Sequence, residues 1–176
     1  MSKIKNLGLA IGLICICLLS SGYRDEESAK SRKVEQVIVD DVMAQLKDKN
    51  LHLVGLGGLV EGPIQYINLG FCLYQEIDLM GSRRLIVDIV DAFLSRINGD
   101  PSVKEYFQVY PMTIKELGVR IWVYQPDHTK VPLNEIDYAA ESAGMMTYQI
   151  AQPAPVYSKI LLQESYKEAA LLVQSK

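Results

Sequence analysis

Outside its first segment, the chain carries three side chains suited to nucleophilic or metal chemistry: Cys72, His52 and His128. A thiol attacks only as a thiolate, which needs a base or a cation beside it. The sequence leaves that proximity to the fold. Read alone, Cys72 is an inert strand cysteine, since free cysteine is among the most buried residue types. The two histidines are far apart and have no cysteine or second histidine at ligand spacing, so no metal site is expected. Asp127 beside His128 reads as a polar turn pair. Gly55, Gly57, Gly58 and Gly62 do not make G-x-G-x-x-G, because Val60 takes the last glycine's place. No helix pattern follows them and no Gly-Lys-Ser/Thr occurs, so no phosphate cradle and no cofactor are expected. The G-x-S-x-G elbow of many serine hydrolases is also missing. Carboxylate pairs occur at Asp40-Asp41, Asp88/Asp91 and Glu135/Asp137. Such pairs do glycoside chemistry only at a set separation across a cleft, and acids otherwise favour solvated surfaces.

One pattern does point to an interaction. Ile64–Tyr74 and Leu117–Tyr124 alternate as strands, with Ile67, Leu69, Phe71 and Leu73 on one face of the first and Leu117, Val119, Ile121 and Val123 on one face of the second. Their opposite faces carry Tyr66, Asn68, Cys72 and Tyr74, and Arg120, Trp122 and Tyr124. Tyr, Trp and Arg are enriched where proteins bind partners, and such rings also cradle apolar or sugar ligands. Tyr66, Tyr74, Arg120, Trp122 and Tyr124 are therefore the expected binding residues. The competing reading is cross-strand packing beneath a loop or the last helix.

The remaining elements follow from periodicity and punctuation. A mobile polar leader is expected over 23–31, and a helix from about Lys33 to Lys49, with Val34, Val37, Ile38, Val42, Met43 and Leu46 on its apolar side. Leu51–Val54 reads as a strand, followed by a glycine-rich turn region over 55–63. Ser82–Asn98 is strongly amphipathic, with Ser82 as its N-cap. Asp100-Pro101 starts a short helix over Pro101–Gln108. A hairpin of Glu135–Ala140 and Met145–Ala151 turns through residues 141–144. A last helix is expected over Tyr157–Gln174. Strands in runs rather than in regular alternation with helices imply an α+β domain over 32–176. Its antiparallel sheet would have about five strands, with helices mainly on one face.

The first twenty-two residues have the order of a secretory signal peptide. Lys3 and Lys5 precede the uncharged run Leu7–Leu19, and Ser20-Ser21-Gly22 offers small residues before Tyr23. The run is shorter than the roughly twenty residues a spanning helix needs. Leu19-Ser20-Ser21-Gly22 resembles the end of a bacterial lipoprotein signal, but Tyr23 stands where the lipid-bearing cysteine belongs, and a phenol forms no thioether. Cys15 and Cys17 lie within the apolar run.

Cleavage after Gly22 removes two of the 18 basic residues, leaving 16 against 21 acidic ones and a net charge of −5. An acidic surface argues against general nucleic-acid binding, which needs clustered Lys and Arg. Cleavage also removes Cys15 and Cys17 and so leaves Cys72 without an internal disulfide partner. The sequence thus implies an exported, periplasmic or secreted, non-catalytic domain that binds a protein partner, a second copy of itself, or a small apolar or sugar ligand. The rival readings are a small exported hydrolase using Cys72 with His52 or His128, and a membrane-anchored module that keeps its first segment.

Overall fold

The computed structural model describes residues 26–175. The expected signal segment and residues 23–25 lie outside them. Helix α1 occupies residues 26–45 and is followed by a 3-10 turn, Lys47–Lys49, closed by Asn50 in the left-handed region at φ 55°. Residues 26–31, expected as a mobile leader, are therefore helical, and Ser31 is buried. Ile38, Val39, Val42 and Leu46 face the core, whereas Val37 points outward at 53% exposure. The apolar stripe is rotated by a fraction of a turn from the one expected.

Six strands form a single mixed sheet in chain order: β1 Leu51–Val60, β2 Ile64–Tyr74, β3 Leu117–Tyr124, β4 Ile136–Ser142, β5 Met145–Ala151 and β6 Ser158–Ser165. The sheet is not wholly antiparallel, because β2 and β3 run parallel. Parallel neighbours need a long crossover, and helix α2, Leu79–Asn98, lies in the connection between them. The glycines expected in a turn region instead pair within β1, which runs on to Val60; Gly62, at φ +92°, stands in the short turn that follows.

Asp78, not Ser82, caps α2 by accepting from Gly81 N at 2.6 Å, and Ser82 is buried one turn inside. The short element after Asp100 is a 3-10 helix, Pro101–Tyr106. The hairpin turn takes only Ala143 and Gly144, at φ 51° and 88°. Positive φ at both central residues matches the right-handed twist of the strands it joins.

The expected helix over 157–174 is two elements. Residues 158–165 pair with β5 as the edge strand β6, and helix α3, Tyr166–Gln174, begins only after Ser165. A capping box marks this boundary: Ser165 Oγ accepts from Glu168 N, and Glu168 Oε2 accepts from Ser165 N.

The apolar face of the sheet (Ile67, Leu69, Phe71, Leu73, Leu117, Val119, Ile121, Val123) joins Ile86, Ile89, Val90, Phe93 and Ile97 of α2 and the buried side of α1 in one core. The described residues form a single α+β domain. Among the described residues, no helix is long and apolar enough to cross a membrane.

Candidate functional site

Strand register sets the second face of the sheet. Cys72 lies opposite Trp122, Tyr74 opposite Tyr124, and Gly70 opposite Arg120. Arg120 and Trp122 are exposed, while Tyr66, Asn68, Cys72, Tyr74 and Tyr124 are half-buried. Two glycines make room for the rings. A Cβ on Gly70 would stand 3.0 Å from Trp122 Cζ3, and one on Gly118 would stand 2.1 Å from Tyr66 Oη. Both rings therefore lean across neighbouring strands over backbone that carries no side chain. Trp122 also meets Tyr138 with ring centroids 6.0 Å apart.

At the C-terminal end of β2 and β3 the face closes in a ring cluster. Tyr74 touches His128 at 4.1 Å, His52 at 5.1 Å and Tyr124 at 5.8 Å between centroids. Burial, and then the neighbouring Cys72 thiol, raise the Tyr74 phenol above its ordinary pKa.

Beyond this cluster, the loops 125–135 and 152–157 enclose a cleft of about 430 Å³. That volume falls in the usual range for small-molecule sites. Trp122, Tyr124 and Tyr157 supply rings, Val131, Pro132 and Leu133 an aliphatic wall, and Lys130, Asp137, Gln152 and Ser158 the polar groups.

Hydrogen bonds tie the first loop to the end of β5 and to the first residue of the second loop. Asn134 N donates to Ala151 O and Ala151 N donates to Glu135 O, each at 2.9 Å, while Gln152 Nε2 donates to Asn134 Oδ1 at 3.1 Å. His128, Asn134 and Tyr157 all hold positive φ, at 67°, 68° and 62°. A tyrosine in that region is strained, and such strain persists only where surrounding structure enforces it.

The polar groups are fixed in turn. Lys130 bridges to Tyr124, its carbonyl accepts from Gln125 Nε2 at 3.0 Å, and its ammonium stands 5.3 Å from the Tyr157 ring centroid. Asp137 sits at a register shift in β4, where a bulge re-aims side chains. Its Oδ2 accepts from Ser158 Oγ, and its Oδ1 is buried with no bonding partner. A second, shallower depression of about 500 Å³ shares Trp122, Asp137 and Ser158 and adds Arg120, Tyr138 and Gln149.

Of the residues singled out in the sequence, Arg120, Trp122 and Tyr124 line these two hollows. Tyr74 backs them through the ring cluster, and Tyr66 sits apart, over Gly118. Cys72 is half-buried and lies directly across from His52 on β1. Among the described residues neither histidine bonds to its sulfur, and no group of His, Cys, Asp and Glu could hold a metal ion. Lys130, Gln152, Tyr157 and Ser158 escaped the sequence reading as site residues, and Asp137 entered it only as one of a carboxylate pair with Glu135. The polar stretch 125–132 and the prolines at 153 and 155 marked loops there, but not that the two loops meet. Comparison with protein-family models, with curated proteins and with solved structures found no match.

Proposed function

We propose that this chain is an exported, non-catalytic binding domain whose uncovered sheet face, with the cleft at its end, receives a small ligand. The observation that carries the reading is the position of Trp122. It belongs to both hollows, stays 37% exposed on the face of β3 opposite the core, and is seated over a glycine. Rings held on a rigid sheet lose little entropy on binding, and a mostly apolar hollow with a few fixed polar groups is the usual form of a small-molecule site. Export rests on the charged, apolar and small-residue order of residues 1–22.

Two measurements test this reading. The Trp122→Ala/Tyr124→Ala variant should keep its circular dichroism while losing ligands recovered with the native protein. An intact mass of native protein from cell fractions should match Tyr23 to Lys176 in the soluble fraction. A full-length or lipid-shifted mass in membranes would make the domain a tethered module instead.

A second reading, a hydrolase working through Cys72, has one observation in its favour. The register places His52 directly opposite Cys72, and side chains so paired lie about 5 Å apart at Cβ. A thiolate activated by that imidazole would react with iodoacetamide far faster than a free thiol at pH 6, and His52→Ala would abolish the excess rate. Ordinary labelling kinetics would leave Cys72 as a packing residue of the face.

A further inference from the structure

The cleft is lined by one anion and one cation that do not pair with each other. Asp137 turns Oδ2 to Ser158 Oγ and keeps Oδ1 buried without a partner, and Lys130 rests over Tyr157 rather than on a carboxylate. Filling a largely apolar hollow removes water from the charges that line it. Each is then left uncompensated unless the ligand brings a counter-charge, because an ion taken from water without a partner is unfavourable. An anionic ligand would compensate Lys130 and strand Asp137. A cationic ligand would do the reverse, and a neutral sugar would compensate neither. A ligand carrying both an ammonium and a carboxylate satisfies the pair.

The rest of the lining selects its body. Trp122, Tyr124 and Tyr157 offer ring faces, and Val131, Pro132 and Leu133 offer aliphatic surface. We infer that the cleft takes a small zwitterion with a large apolar side chain, an α-amino acid or a very short peptide. Its ammonium meets Asp137 Oδ2 and the Ser158 hydroxyl that bonds it, its carboxylate meets Lys130, and its side chain lies against Trp122. The inference rests on the cleft being the binding site proposed above.

Trp122 is the only tryptophan in the chain, so its emission reports on the cleft and the depression that shares the ring, and Lys130, which lines the cleft alone, tells the two apart. The test titrates the purified mature chain with L-phenylalanine, L-phenylalaninamide, N-acetyl-L-phenylalanine and the doubly blocked N-acetyl-L-phenylalaninamide. The free amino acid should bind at least tenfold more tightly than either singly blocked form. Lys130→Met should bring phenylalanine down to the affinity of its amide, and Asp137→Asn should bring it down to that of the N-acetyl form. Lys130 is exposed, so the first variant tests the idea even if the second disturbs β4. Four ligands of equal affinity would overturn the zwitterion and keep the cleft as a site. No saturable change with any of them would overturn both.

Discussion

The indole of Trp122 and the bare backbone of Gly70 are one structural feature: a methyl group at residue 70 would stand 3.0 Å from Cζ3 of the ring. The two residues are diagonal neighbours across the parallel pair β2 and β3. The contact falls on the outer end of the indole, which can give way by a few tenths of an ångström. Gly70→Ala should therefore leave stability nearly unchanged. The loss of glycine's unfolded-state freedom is worth about 0.4–1 kcal/mol and offsets the crowding. Gly70→Val should tip the ring off its seat. The expected readouts are a red shift of the single tryptophan's emission and loss of cleft binding, with a cooperative urea transition retained.

Gly118 has a harder neighbour. A Cβ there would sit 2.1 Å from Tyr66 Oη and 3.1 Å from its Cζ, so the phenol must move away. Overpacking of this kind costs about 1–3 kcal/mol. Removing the hydroxyl should relieve most of it, so Gly118→Ala should be clearly less destabilising in a Tyr66→Phe background. A double-mutant cycle from urea unfolding measures that coupling. Additive effects would mean that Tyr66 swings freely to solvent and is no fixed part of the face.

Strands β2 and β3 were legible to the residue because two-fold alternation along Ile67–Leu73 and Leu117–Val123 is unbroken and each run ends at a clear boundary. The aromatic face followed from the same alternation. Strand β6 was not legible. Ile160, Leu161 and Leu162 fit a helical stripe as well as a strand, and the register against β5 shifts between Ile160 and Leu162, which breaks the alternation. The Ser165-x-x-Glu168 box was nonetheless present in the sequence as a helix start. Reading it would have divided residues 157–174 correctly. The cleft was illegible for a different reason. Tyr124, Lys130, Asp137 and Ser158 come together only through the order of strands β3 to β6, and no local pattern encodes that order. The parallel pairing of β2 and β3 was hidden in the same way.

Edge strand β6 is held to helix α2 by a nearly dry ion pair. Arg83 Nε and Nη2 donate to the two oxygens of Glu164 at 2.7 and 3.0 Å, with side-chain exposures of 12% and 10%. Tyr148 Oη donates to the same carboxylate at 2.9 Å. Removing one partner strands the other charge and costs about 3–5 kcal/mol, whereas replacing both with apolar groups is often nearly neutral. Arg83→Met and Glu164→Leu should each lower the urea midpoint sharply, and the double variant should recover most of the loss. A double variant as unstable as the worse single one would show that the pair contributes net stability.

Glu141 makes stability depend on pH in a defined direction. It is 1% exposed on the core side of β4, its Oε1 accepts from Gly144 N at 2.6 Å, and its Oε2 is buried without a partner. Burial pushes its pKa from 4.5 up to about 7, against the smaller downward pull of the Gly144 hydrogen bond. The folded state thus holds this proton more tightly than the unfolded chain does. Below pH 4.5 both states are protonated and the site costs nothing. Between 4.5 and 7 the unfolded chain releases the proton first, and stability falls until the folded form also ionises. At 1.36 kcal/mol per unit, the loss is about 3 kcal/mol by pH 8. Glu141→Gln cannot ionise, so its unfolding free energy relative to wild type should climb by that amount between pH 4.5 and 8 and then level off. The measurement is urea denaturation of both proteins at half-unit steps. A difference that stays flat across this window would mean that Glu141 ionises at its ordinary pKa and that water reaches Oε2.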